Sequence, residues 1–136
     1  MQMLRLLLVA LVALFIAGAV TPVAAQADAI PDPAGSYSCF GEQEGKPYRL
    51  ELAVEQYGET YRLAWGLSVV ALQSSPTVIG LGIRRGDELA VALIHVQAGG
   101  VAIATYRISP GQLNGVWSPG DGQVWKEVCS KGRNAA

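Results

Sequence analysis

The chain has 136 residues and a net charge of −1, from 10 Lys and Arg against 11 Asp and Glu. The charges are dispersed, and no stripe of basic side chains of the kind that binds nucleic acid is present, which excludes nucleic acid as a main partner. Two well-separated cysteines and one histidine do not match the spacing of a structural metal site. We therefore expect no metal and no cofactor.

Residues 1–27 have the pattern of a secretory signal peptide with a helical apolar segment. Arg5 is their only basic residue, residues 6–20 are almost entirely apolar, and small side chains follow Pro22. A positively charged N-terminal region, an apolar segment and small residues at the cleavage site are typical of a cleaved export signal. A retained anchor is the alternative, because the stretch approaches the ~20 residues that span a bilayer. Pro22 favours cleavage, so we expect a periplasmic or secreted protein without a membrane span.

The mature part begins with a stiff extended linker, residues 28–35, which contains Pro31 and Pro33. Short runs of alternating apolar and polar residues, separated by glycine turns, then continue to residue 130. Such alternation indicates half-buried strands. The predicted strands cover residues 36–40, 48–55, 61–65, 77–83, 88–96, 101–108, 113–117 and 124–129. Within residues 66–76, positions 67–72 either extend the third strand or form a short separate one.

The even spacing of these runs predicts an all-β fold, a single antiparallel meander of about eight strands closed into a small barrel over residues 36–130. Cys39 and Cys129 lie near its two ends, and an even pair of cysteines in an exported protein indicates a disulfide, with two free thiols as the alternative. If the sheet closes, this disulfide locks the first strand to the last. Residues 131–136 are predicted to form a disordered tail.

An ordered series of strand-and-turn motifs spans residues 35–129. Its members are Gly58-x-x-Tyr61-x-Leu63-x-Trp65, Gly80-Leu81-Gly82-Ile83, Gly86-Asp87-x-Leu89-Ala90-Val91, Tyr106-Arg107-Ile108 and Leu113-x-Gly115-x-Trp117, followed by Glu127. The series resembles a family of small exported bacterial β proteins, mostly uncharacterised and sometimes labelled fibronectin-binding. This resemblance implies export and a β fold.

A second, fainter resemblance is to periplasmic lysozyme inhibitors, which are small barrels. Tyr37-Ser38-Cys39 and the late Cys129 match their pattern. The Ser-Gly-x-Arg-Tyr loop that carries inhibition in those proteins has no counterpart in this chain.

No catalytic arrangement is evident in the sequence. His95, the only imidazole, lies in an apolar run without an identifiable carboxylate partner, and no G-x-S-x-G motif occurs. The pair Gly80 and Gly82 precedes a strand rather than a helix, so it is not a dinucleotide fingerprint. We therefore expect that the protein is not an enzyme.

Five aromatic residues are the candidates for binding a small ligand. They either line a cavity in the barrel or fill its core, and core filling is the favoured interpretation because a small barrel leaves little space. These residues are Tyr61, Trp65, Tyr106, Trp117 and Trp125.

Glu127 is a further candidate for ligand contact. It shares strand parity with Trp125 and Cys129, so it is predicted to face inward. A buried carboxylate needs a partner, and Arg107 or Arg62 could supply one.

Loop residues are the candidates for docking to another protein. Arg84, Arg85 and Asp87 surround a predicted hairpin tip, and Asp121 lies in a second loop. Arg85-Gly86-Asp87 is the tripeptide that adhesion receptors read, although Gly-Asp is also common at tight turns for backbone reasons.

The sequence thus predicts an exported non-enzymatic binding protein whose partner is an unknown small ligand or an extracytoplasmic protein. The alternative is a protein-docking module, such as a hydrolase inhibitor or a matrix-binding adhesin. A cavity that reaches solvent would favour the ligand, and a filled core with an apolar exposed patch would favour docking. The sequence does not define the oligomeric state.

Overall fold

The computed structural model describes residues 29–132. The predicted signal peptide with its helix, and residues 133–136 of the predicted tail, lie outside the described residues. Within residues 29–132, no helix is long and apolar enough to cross a membrane.

Eight antiparallel strands, each hydrogen-bonded to the next, form a closed barrel. The circle is completed by pairing between the first strand and the last. The strands are β1 (Gly35–Gln43), β2 (Lys46–Tyr57), β3 (Thr60–Gly66), β4 (Val78–Arg85), β5 (Glu88–His95), β6 (Val101–Ser109), β7 (Gln112–Ser118) and β8 (Trp125–Lys131). The predicted all-β barrel is confirmed, and each predicted run corresponds to one strand.

Strict alternation of side chains builds the interior of the barrel. In β5, Leu89, Val91 and Leu93 are buried, whereas the intervening Ala90 and Ala92 are exposed. Because successive side chains of a strand point to opposite faces, each strand contributes one apolar set to the interior of the barrel.

The predicted disulfide between Cys39 and Cys129 is confirmed. The two residues are directly opposite each other in the pairing of β1 with β8, and both are fully buried. In the chain-entropy model, linking residues 90 positions apart stabilises the fold by about 4–5 kcal/mol. The bond therefore fixes the seam at which the barrel closes.

One end of the barrel, called the closed end, carries the tight turns β2–β3, β4–β5 and β6–β7 together with residues 29–34. Pro33 is fully buried there, and the Tyr37 hydroxyl donates a hydrogen bond of 2.7 Å to its carbonyl. Lys131 Nζ donates to the Asp32 carbonyl at 3.4 Å. Residues of the predicted linker thus cover this end, and Lys131, predicted to begin the tail, belongs to β8.

The opposite end, called the open end, carries the longer connections. Among them is a short helix, α1 (Val69–Ser74), whose cap residue Ser68 accepts a hydrogen bond of 3.2 Å from the Ala71 N–H. The prediction that residues 67–72 form strand is wrong. In the closed barrel β3 already pairs with β2 and β4, so no free edge remains for another strand.

The outer wall of the barrel is apolar on one side. The side chains of Ile79, Leu81 and Ile83 in β4, Ile94 in β5 and Ile103 in β6 are all exposed there. Pairing places β4, β5 and β6 next to one another, so these residues form one continuous outer face.

Candidate functional site

A cavity of about 390 Å³ occupies the open half of the barrel interior and is called here the open-end cavity. Glu127 is its one buried charged residue, and exposed residues such as Gln43, His95 and Pro119 form its rim. Leu50 and Leu93 contribute to its apolar wall. The favoured interpretation of the sequence was that the aromatic residues fill the core. The cavity shows that part of the interior is not filled.

The five aromatic candidates divide into two groups. Trp65, Tyr106 and Trp117 line the open-end cavity. Tyr61 is buried in the core but is not part of the cavity lining. Trp125 is half-buried, lies outside the cavity lining and is opposite Trp117 in the β7–β8 pairing. Its buried indole nitrogen has no hydrogen-bond partner among the described residues.

Glu127 is 5 % exposed and faces inward, as its strand parity predicts. Its Oε1 accepts hydrogen bonds from the Tyr106 hydroxyl at 2.9 Å and from Trp65 Nε1 at 3.2 Å. Its Oε2 accepts one from the Tyr48 hydroxyl at 2.6 Å, and Trp117 Nε1 donates to that same hydroxyl at 3.0 Å. One carboxylate thus holds four aromatic side chains in a single network.

The prediction that an arginine pairs with Glu127 is wrong. Arg107 is on the outer surface, with its Nε 4.0 Å from a carboxylate oxygen of Asp87. Arg62 stacks on the Tyr57 ring at 3.7 Å, also outside the barrel. The carboxylate is satisfied by neutral hydroxyl and indole donors instead.

Strand register explains how the tyrosines reach Glu127. In cross-strand order, the residues Tyr48, Gly41, Glu127, Gly115 and Tyr106 form one row over five strands. A Cβ atom on either glycine would overlap the ring of the tyrosine beside it. Each tyrosine therefore lies across a glycine of the neighbouring strand, and the absence of a side chain there is what lets its hydroxyl reach the carboxylate.

Tyr48 is the site residue that the sequence predictions missed. Its parity with Leu50, Leu52 and Val54 already indicates an inward side chain. Gly41 shares the parity of Cys39, but nothing in the local sequence indicates that Tyr48 and Glu127, 79 positions apart, are neighbours.

The carboxylate perturbs the two phenols that contact it. Burial, and then the negative charge of Glu127 and its hydrogen bond, raise the pKa of Tyr106 and the pKa of Tyr48 well above the usual tyrosine value. The hydrogen bond from Trp117 acts in the opposite direction on the pKa of Tyr48, but it is the smallest influence. Both phenols consequently remain neutral hydrogen-bond donors at physiological pH.

The disulfide lies beside this network. Potential ligand atoms of Cys39, Glu127 and Cys129 are within 4.8 Å of one another, and Cys129 Sγ is 3.2 Å from Glu127 Oε1. Both sulfur atoms are engaged in the disulfide, so they are not available as the thiolates that bind metal ions. These three residues therefore do not constitute a metal centre.

The loop candidates do not form one surface. Arg84, Arg85 and Asp87 are at the closed end, whereas Asp121 is at the open end, between β7 and β8. Arg84 Nε donates to the Gly86 carbonyl at 2.9 Å, which secures its own turn. The two loops therefore do not constitute a single contact site.

His95 is at the rim of the cavity, on the last residue of β5. Its Nδ1 accepts a hydrogen bond of 3.2 Å from the Ala98 N–H. Within the described part of the chain, no nucleophile or carboxylate is hydrogen-bonded to it, so the geometry does not provide a nucleophile–base pair at this residue.

The fold and the cavity define a class of protein: a small, closed, eight-stranded antiparallel barrel with an interior site that opens at one end. No known protein family matches the chain, and no curated protein matches its sequence. The chemistry of the site is therefore the guide to its function.

Proposed function

We propose that the mature protein is an exported, non-enzymatic binding protein that takes a small ligand into the open-end cavity. The observation that carries this proposal is the cavity itself, about 390 Å³ in volume with largely apolar and aromatic walls. Sites that bury small ligands are typically ~300–1,000 Å³, apolar, and supplied with a few convergent polar groups. Glu127 and Tyr48 are polar groups of this kind.

Export is supported by the apolar run of residues 6–20 and by the disulfide between Cys39 and Cys129. Disulfides persist mainly in oxidising compartments, which include the periplasm and the extracellular space. We also propose that the protein belongs to the family of small exported bacterial β proteins, which the motif series of residues 35–129 resembles.

A binding role without catalysis is supported by the hydrogen bonds that the polar groups of the cavity make with one another. The hydroxyls of Tyr48 and Tyr106 and the indole N–H of Trp65 all donate to Glu127. Such a network holds a fixed shape, but it presents no nucleophile activated by a base. Binding and orientation are the functions that it serves best.

The test is native mass spectrometry of protein secreted through an oxidising export route. We expect a disulfide-bonded chain that retains a small-molecule mass or takes up benzyl alcohol, a neutral aromatic probe. Ala102→Phe places a ring at a cavity-lining position and should abolish uptake. Ala92→Phe, on the exposed outer face of β5, is the matched control and should preserve it.

Two results would contradict the proposal. One is a wild-type protein that retains no ligand and takes up no probe. The other is uptake that survives Ala102→Phe, because the ligand would then bind elsewhere.

A protein-docking module is the second candidate, and one observation favours it. The outer face of β4–β6 exposes Ile79, Leu81 and Ile103, among other aliphatic side chains, and contiguous apolar patches often mark contact surfaces. Leu81→Ser distinguishes the two candidates. It should leave probe uptake unchanged if the cavity is the binding site, and it should weaken association with a protein partner if the outer face is.

A further inference from the structure

We propose that the ligand of the open-end cavity carries a protonated amine on an apolar, preferably aromatic body, and that its ammonium group binds Glu127. This inference rests on the proposed ligand-binding function and specifies the chemical class of the ligand.

The first argument is charge. Glu127 is the only Asp or Glu in the cavity lining, and that lining contains no Lys or Arg. Neither of the two salt bridges found in residues 29–132 involves it. An ionised group removed from water is costly unless it is paired, so a ligand that brings a positive charge improves on the unliganded state.

The second argument is hydrogen-bond geometry. Glu127 accepts hydrogen bonds from the hydroxyls of Tyr48 and Tyr106 and from the indole N–H of Trp65, which can only donate. An ionised carboxylate offers about four lone-pair sites. Oε1 already accepts two hydrogen bonds from protein side chains, whereas Oε2 accepts one. The remaining acceptor site is thus on Oε2, where an ammonium N–H can bind.

The third argument is the aromatic wall. Trp65, Trp117, Tyr48 and Tyr106 all line the cavity around the carboxylate. The faces of aromatic rings attract cations, and the attraction is stronger where water is excluded. The same rings provide apolar surface for the body of the ligand. A negative charge enclosed by aromatic rings favours cations and disfavours anions such as fatty acids.

The fourth argument is that the protein does not neutralise the charge itself. The field of Glu127 contributes to the raised pKa of both Tyr48 and Tyr106, so these side chains keep their protons as donors and add no charge of either sign. The same field acts on a ligand cation that enters the cavity. A ligand ammonium is thus the group that complements the site electrostatically.

The test compares ligands of one shape and different charge. Benzylamine, benzyl alcohol and benzoate are titrated at neutral pH into the disulfide-bonded protein, and binding is followed through the indole N–H resonances of Trp65 and Trp117. We expect benzylamine to bind at least about tenfold more tightly than benzyl alcohol, which corresponds to about 1.4 kcal/mol. Benzoate should bind most weakly. Benzyltrimethylammonium, which has no N–H, should bind less tightly than benzylamine.

The variant Glu127→Gln removes the charge and keeps the shape. It should lose the preference for benzylamine over benzyl alcohol, because the ionic contribution to amine binding is removed. Glu55→Gln, an exposed position of the outer wall in β2, changes the net charge equally and should keep the preference. If Glu127→Gln does not fold, the comparison of benzylamine with benzyl alcohol in the wild-type protein still tests the inference.

The possible failures are distinguishable. If the alcohol binds as tightly as the amine or more tightly, the cationic ligand is excluded while the cavity remains a binding site. If none of the four compounds binds, this inference fails, and the proposed function fails with it when native mass spectrometry also finds no retained ligand. If the preference survives Glu127→Gln, the ammonium does not bind at Glu127 and the inference fails.

Discussion

The two halves of the barrel interior are built from the same strands but are filled differently. Toward the closed end, Leu113, Ile108 and Leu89 are buried in the hydrophobic core, and residues 29–34 cover it. Toward the open end, Trp65 and Trp117 leave a cavity of about 390 Å³. The comparison shows that an alternating pattern determines which side chains face inward, but not whether they fill the space.

Two features keep the open half from closing. Hydrogen bonds to the Glu127 network fix Trp65, Tyr106 and Trp117, so these rings are not free to rotate into the remaining space. A lining position on β6 is occupied by the short side chain of Ala102. Hydrogen-bonded networks of buried polar groups make a site rigid, and rigidity is what preserves a cavity in a small barrel.

The largest difference between the halves should appear when one leucine is truncated in each. Leu113→Ala, in the closed half, should lower the free energy of unfolding by about 3–5 kcal/mol, because a new void opens in a packed core. Leu93→Ala enlarges an existing cavity and should cost only about 2 kcal/mol, mainly the lost transfer term. Urea unfolding of both variants measures the loss in free energy of unfolding. Equal losses would contradict the view that the halves are packed differently.

A smaller effect is expected from filling the glycine positions of the Glu127 row. Gly115→Ala should destabilise the protein by about 1–3 kcal/mol, because the added methyl group displaces the Tyr106 ring. It should also weaken ligand binding, since Tyr106 would no longer reach Glu127. Gly132→Ala, where a methyl group meets no atom within 4 Å, is the control. Thermal unfolding and probe binding report the two effects, and a neutral Gly115→Ala would contradict the role given to this glycine.

The smallest effect concerns the cover of the closed end. Tyr37→Phe removes the hydrogen bond to the Pro33 carbonyl and should cost about 1 kcal/mol. Burial, and secondarily the charge of Asp32, raises the pKa of Tyr37 from 10.0 to about 12. Because the folded state favours the protonated phenol, its contribution is complete below pH 10 and is lost as the pH rises to about 12.

The measurement for this prediction is the urea midpoint of wild type and Tyr37→Phe at a series of alkaline pH values. The wild type should lose its advantage over the variant between pH 10 and about 12. A difference that is independent of pH would show that ionisation of Tyr37 does not affect stability. Ligand binding at the open end should be the same in both proteins.

Much of the fold could be predicted from the chain because its signals are local. The alternation in Tyr48, Leu50, Leu52 and Val54 identifies β2 without any knowledge of its neighbours. The short helix α1 could not be recognised in the same way, because Val69 and Val70 have strand propensity. Its conformation depends on the closure of the barrel, which leaves residues 67–72 without a strand to pair with.

The candidate site was only partly predictable. Strand parity identifies Glu127 as inward-facing, and the tryptophans are conspicuous in the sequence. The partners of Glu127 could not be inferred, because an arginine is the common solution for a buried carboxylate. The actual solution, a tyrosine across each neighbouring glycine, depends on register over five strands.

The sequence by itself predicted the strands, their inward and outward faces and a disulfide between the two cysteines, because period-two alternation and cysteine count are properties of the chain. Only the tertiary structure decided that Gly41 and Gly115 are beside Glu127 and that the open half holds a cavity. Register and volume arise from contacts between strands that are distant along the chain. No local pattern of residues contains that information.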